Sequence, residues 1–180
     1  MVTTLSWYEA EHAVQCGVSR CISSWKKDRK HAAGYKPKDL FDTNIKSAAA
    51  EMAVAKHLGI YWDGSVDTFK DKADLGEDIE VRMSMMRPPV LIIRPNDIKW
   101  RKYVLVQNLW EHGRMPAFKV MGYTSFPGVE WAHENWSQYW TNFGTSRPHC
   151  WAVPIDALQD TQDLKGTLRE DQIPWNENDN

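Results

Sequence analysis

The chain has 180 residues, 42% of them hydrophobic and 12% aromatic, with a net charge of −2 at neutral pH. That is enough apolar material for one ordinary core and too little length for two, so we expect a single domain over residues 1–158 followed by a polar, acidic tail over 159–180. The longest apolar runs, Val90 to Ile93 and Tyr103 to Val106, fall far short of the roughly 20 residues that cross a bilayer, and the N-terminus lacks the basic and apolar regions of a signal peptide. A cytoplasmic location with no membrane partner is therefore expected.

Cys16, Cys21 and Cys150 form neither an even disulfide set nor a CxxC pair, as suits a reducing compartment. His12 and Cys16 stand four apart, but His149 and Cys150 lack ligand spacing, so ordinary buried thiols are a better reading than zinc.

In chain order, Leu5 to Lys30 contains no proline and spaces Trp7, Ala10, Val14, Val18, Cys21, Ile22 and Trp25 at helical intervals, which predicts a long first helix. After a Gly- and Pro-containing loop, Thr43 can cap a second helix that ends at Leu58, with Gly59 at its C-terminus. Strands are expected at Val66 to Leu75, Ile79 to Met85, Val90 to Ile93, Tyr103 to Leu109 and Ala117 to Tyr123, with a last short one at Trp151 to Ile155. The aromatic segment Trp131 to Phe143 fits helix or strand equally well. This order predicts an α+β (α/β) fold with a central mixed β-sheet flanked by helices.

Charge is uneven along the chain. Residues 20–46 carry eight Lys or Arg against three Asp, and the tail carries six acids against two bases. Such a basic region is compatible with a phosphate-binding surface, and equally with a solvated helix face. Lys26, Lys27, Arg29 and Lys30, and a second group of Lys99, Arg101 and Lys102 interleaved with Trp100 and Tyr103, are the candidate nucleic-acid contacts. For Trp100 and Tyr103, core packing is the more economical reading.

Three acids stand out. On the second helix, Glu51 neighbours Ser47, Ala48, Val54 and Ala55, so its carboxylate points into the apolar arc and should be paired, protonated or bound to a metal. In Ile79 to Met85 the alternation is strict, which places Glu80, Arg82 and Ser84 on one face, with Cα atoms of neighbours on that face roughly 6.5 Å apart. If Gly76, Glu77 and Asp78 form a three-residue loop, Leu75 opposes Ile79 and Asp74 opposes Glu80. Opposed carboxylates repel unless a cation lies between them, and oxygen-only sites suit Mg²⁺ or Mn²⁺.

The helix Ala50-Glu51-Met52-Ala53-Val54-Ala55-Lys56, then Ala73-Asp74-Leu75-Gly76, then Ile79-Glu80-Val81-Arg82, resembles in order and spacing the PD-(D/E)XK nucleases, and among them the small proteins of phage type. The resemblance implies a restriction-endonuclease-like fold and Mg²⁺- or Mn²⁺-dependent hydrolysis of DNA, in the host cytoplasm if the chain is phage-encoded. It assigns Glu51, Asp74 and Glu80 as metal ligands and Arg82 as the basic residue at the scissile phosphate. Ala73 stands where the family has proline, and Arg82 where it has lysine; arginine keeps its proton and cannot act as a base, though it can clamp a phosphate. An inactive binding module of the same fold is the alternative, and a homodimer is a candidate assembly.

Overall fold

The computed structural model describes residues 1–28, 39–68, 71–144 and 147–165. Helix α1 (Trp7–Lys26) starts where Ser6 and Glu9 cap each other: Ser6 Oγ accepts from the Glu9 amide at 3.2 Å and Glu9 Oε2 from the Ser6 amide at 2.6 Å. Helix α2 (Leu40–Leu58) begins four residues before the expected start. Asp39, not Thr43, is its cap, accepting from the Asp42 amide at 3.0 Å, while Thr43 hydrogen-bonds back to the Asp39 carbonyl. It ends, as the sequence predicts, at Gly59 in the left-handed conformation.

Of the seven strands among the described residues, the short first one, β1 (Val2–Thr4), is one that the sequence did not announce. The others are β2 (Ile79–Ser84), β3 (Leu91–Ile93), β4 (Lys102–Asn108), β5 (Ala117–Ser125), β6 (Trp140–Thr141) and β7 (Cys150–Val153). The main sheet has the order β1-β5-β4-β2; β2 and β4 run parallel and the other pairs antiparallel, so the fold is α+β around a mixed sheet. A second, antiparallel sheet has the order β3-β7-β6. The aromatic segment resolves into helix α3 (Val129–Asn135), a 3₁₀ turn and β6. A final turn of helix, α4 (Gln162–Lys165), brings Leu164 into the core, so the chain packs on the domain as far past residue 158 as it is described.

β4 explains the layering. Val104 and Val106 pack with α2 residues Ala49, Ala50, Ala53 and Val54, whereas Tyr103 and Leu105 pack on the other side with Leu91, Ile93, Phe126 and Trp151. A strand buried on both faces needs apolar residues at every position, which is what Tyr103 to Val106 supplies. The main sheet is thus covered by α2, with α1 packed on α2, and on its other face by the small sheet and α3.

Val66 to Leu75 does not form the expected strand. Leu75 alone pairs, with Ile79, and the polar groups upstream are spent on α1: Ser65 O accepts from Arg20 Nε at 3.0 Å, and Asp67 accepts from Ser23 at 2.5 Å and also from Lys27.

At Gly17 the two long helices approach so closely that a Cβ would stand 2.5 Å from Ile45 Cα. The obstacle is backbone and cannot rotate away. Gly17→Ala should therefore destabilise the fold by about 1–3 kcal/mol despite alanine's better helix propensity, read as a lower midpoint in denaturant unfolding.

Candidate active site

The site is built around a tight hairpin. Gly76, with φ 56°, allows the chain to turn so that Leu75 and Ile79 exchange two backbone hydrogen bonds of 3.0 and 3.2 Å. Asp74 then falls opposite the start of β2. Its Oδ2 accepts from the Val81 amide at 2.8 Å, where a backbone carbonyl would continue the ladder, so pairing stops after one bridge and a carboxylate is left at the edge of β2. Asp74 also lines a cleft of about 220 Å³ together with Ile60, Tyr61, Asp63, Lys72 and Gly76.

On one side of Asp74 lies Glu51, which α2 buries to 5% exposure. Arg20 of α1 holds it with two bonds, Nη1 to Oε1 at 2.5 Å and Nη2 to Oε2 at 2.7 Å, and Trp62 Nε1 adds a third at 3.3 Å. On the other side lie Glu80, paired with Arg101, and Arg82, whose Nη2 donates to Asp97 Oδ1 at 2.9 Å. The parallel register sets Arg82 beside Leu105 and Glu80 beside Tyr103, on the face away from α2, and the Arg82 guanidinium lies 5.3 Å from the Tyr103 ring centre. Arg82 Nε is buried and has no hydrogen-bond partner among the described residues.

These groups share one electrostatic field. Burial and the nearby charge of Asp74 push the Glu51 carboxyl up to about 7, against the pull of Arg20 and Trp62. Burial and Asp74 likewise raise Glu80, with Arg82 and Arg101 opposing. Burial raises Asp74 itself, against the Val81 amide and the charges of Arg82, Arg20 and Arg101. Burial disfavours the Arg20 cation, but Glu51 more than offsets it and Arg20 is raised. Asp74 acts on both partners with opposite effect, disfavouring the Glu51 carboxylate and favouring the Arg20 cation. The stable state of the pair at neutral pH keeps Arg20 charged.

Asp74 forms no salt bridge with any described residue. Its oxygen, with that of Glu80, has the hard donor chemistry that suits Mg²⁺ or Mn²⁺. Yet among the described residues no three His, Cys, Asp or Glu side chains are gathered to hold a metal ion. Glu51 has turned to Arg20 and Glu80 to Arg101, so the three acids expected to share a cation instead form a row with Asp74 in the middle.

Of the expected backbone contacts, Lys26, Lys27 and Lys99 are exposed, with Lys27 paired to Asp67. Lys102 pairs with Asp78 at 3.0 Å, and Arg29 and Lys30 lie outside the described residues. Arg101 belongs to the site itself, its side chain only 11% exposed. Trp100, expected in the core, is 70% exposed, whereas Tyr103 is buried as expected. Arg20 and Asp97 are site residues that the sequence reading passed over. Arg20 stood in the basic run, but it also lies four residues after Cys16 and three after Gly17, both on the buried stripe of α1, and that periodicity was the signal.

Compared with protein-family models, with curated proteins and with solved structures, the chain matches none. Among the described residues no helix is long and apolar enough to cross a membrane.

The raised carboxyls make stability fall with rising pH. A carboxyl whose folded pKa exceeds its unfolded value lets the folded state bind extra protons between the two, so the stability it contributes is full below the unfolded value and is lost as pH climbs through the folded one. For Glu51 that window runs from 4.5 to about 7. In EDTA, thermal unfolding should show the melting temperature dropping across this window, and Asp74→Asn, which removes the charge that helps raise both glutamates, should flatten the drop.

Proposed function

We propose that the chain is a Mg²⁺-dependent nuclease that hydrolyses DNA phosphodiester bonds, a small PD-(D/E)XK-type enzyme with a restriction-endonuclease-like fold. The observation that carries this reading is Asp74: a half-buried carboxylate with one backbone N–H and no ion-pair partner among the described residues, set between two further acids and within the field of three arginines. A divalent ion held by Asp74 and Glu80 would relieve the repulsion that raises both groups, and when bound it supplies charge neutralisation at the phosphodiester and an activated water. Arg82 keeps its proton and carries a free Nε donor, so its part is to hold a phosphate oxygen and stabilise charge there. Arg101 fixes Glu80, and Arg20 fixes Glu51.

The same arginines favour a second reading. Arg20 and Arg101 already neutralise two of the three acids without metal, as a binding module that had given up catalysis would require.

Incubation of supercoiled, linear and single-stranded DNA with Mg²⁺, Mn²⁺ or EDTA separates the two. For the nuclease, cleavage should depend on the metal, and Arg82→Ala should lower its rate on the order of 10²-fold, with binding changed only a few-fold, because an interaction made in the transition state accelerates chemistry. A chain that cleaves nothing with either metal, yet binds DNA or a protein, would promote the second reading.

Mg²⁺ should also raise the melting temperature, since the ion binds only the folded state, and Asp74→Asn should remove that gain. An equal gain in the variant would place the ion elsewhere.

A further inference from the structure

Beyond the acid row, the charge balance reverses. Asp97, which accepts from Arg82 through Oδ1, uses Oδ2 to accept from the Arg94 backbone amide at 2.8 Å, and the Asp97 amide returns a bond to the Arg94 carbonyl at 3.0 Å. The turn from Arg94 to Asp97 is therefore locked, and it sets Arg94 at the end of β3 in a fixed place. Its side chain is treated otherwise. The half-buried guanidinium makes no hydrogen bond or ion pair with any described residue, and burial together with the charges of Arg82 and Arg147 holds it below its usual basicity, with Asp97 opposing.

The guanidinium stands in the wall of a cleft of about 140 Å³ lined by Met86, Ile92, Arg94, Phe143, Arg147 and Pro148. Pockets that enclose a whole drug-sized ligand begin near ~300 Å³, so this one accommodates one flat or compact group of a larger molecule. One part of the wall is cationic and donor-rich. Another is apolar and partly exposed, with Phe143 at 37% and Met86 at 42%. A half-buried arginine lacking any counter-ion costs stability unless a ligand supplies the anion, and a planar guanidinium fits a phosphate better than a single-atom anion.

We propose that this cleft binds one unpaired nucleotide of a single-stranded DNA segment, with its phosphate on Arg94 and its base against Phe143. Arg147, on the same wall, adds positive charge for the phosphate. The assignment rests on the nucleic-acid reading of the neighbouring acid row, which it deepens: the Arg82 guanidinium and the Arg94 backbone amide are held by the two oxygens of one Asp97 carboxylate, so a strand seated on Arg94 continues toward Arg82 and Asp74. A duplex keeps its bases stacked inside and presents none to Phe143. Stacking on an aromatic tolerates any base, so the cleft selects strandedness over sequence.

The test is binding measured apart from cleavage. Fluorescence anisotropy in EDTA, with a labelled oligodeoxythymidine and a duplex of equal length as probes, should show the single strand bound more tightly by the full chain. Arg94→Ala should weaken single-strand binding ~10-fold and lower the salt dependence by about one counterion, the signature of a lost phosphate contact. Phe143→Ala should weaken it by a similar ~10-fold without changing that salt dependence, as loss of one stacked base predicts. Arg94→Lys should recover part of the loss. The melting temperature of Arg94→Ala should hold or rise, because the side chain gives up no hydrogen bond and escapes two like charges. Single-strand affinity left unchanged by both Arg94→Ala and Phe143→Ala would overturn the assignment, as would a wild-type chain that binds neither probe. Failure of the nuclease reading looks different: no cleavage with Mg²⁺ or Mn²⁺, while the Arg94 and Phe143 effects on binding persist.

Discussion

The bidentate pair between Arg20 and Glu51 is the contact on which the helical half of the molecule depends. The two residues are 31 positions apart, and the pair joins α1 to α2 at nearly full burial of the carboxylate. Arg20 also holds the Ser65 carbonyl, and Trp62 holds Glu51, so the same guanidinium fixes the chain that leaves α2 and leads toward Asp74. Taking either partner away would leave a buried charge uncompensated, a loss of the order of 3–5 kcal/mol. Gly17 allows the helices to come near enough for the pair to form.

From that pair a line of charged groups runs past the edge of β2: Arg20, Glu51, Asp74, Glu80 with Arg101, Arg82, Asp97, and then Arg94. Most links are closed by a partner of opposite sign. Two are not: among the described residues Asp74 has a backbone amide in place of a cation, and Arg94 has no counter-ion. A buried ionic network of this kind adds little net stability over well-packed apolar residues, since desolvation offsets the Coulomb gain. These two open positions, one acid and one base, are where we propose that ligands bind, a cation at Asp74 and an anion at Arg94.

The aromatic C-terminal part supplies the rigid backing for this arrangement. Trp151 is fully buried and packs against Phe126, His133 and Trp140, and with Leu91, Ile93 and Tyr103 it forms the second core behind β4. That core anchors β3, and so the Arg94 turn, to the main sheet. A bulge at Met121, where the β4–β5 register shifts, lets Gly122 come close to Leu158 and Gln159 and ties the last described turn of chain to the same body.

The sequence by itself determined the elements whose signal is local. The glycine end of the second helix, the alternation that puts Glu80 and Arg82 on one face of β2, the three-residue loop that sets Leu75 against Ile79, and the burial of Glu51 among small residues all follow from spacing along a few turns or a few residues of strand. Tertiary structure decided the pairings. Arg20 and Arg101 read as members of basic runs, and only packing across two helices or two parallel strands turned each inward onto a particular glutamate. Trp100 and Tyr103 carry similar local signals, yet the first is exposed, at a left-handed φ of 67°, and the second is in the core. The expected strand at Val66 to Leu75 failed for the same reason: at its start Ser65 and Asp67 found partners on α1, a distant helix whose hydrogen bonds no local pattern announces.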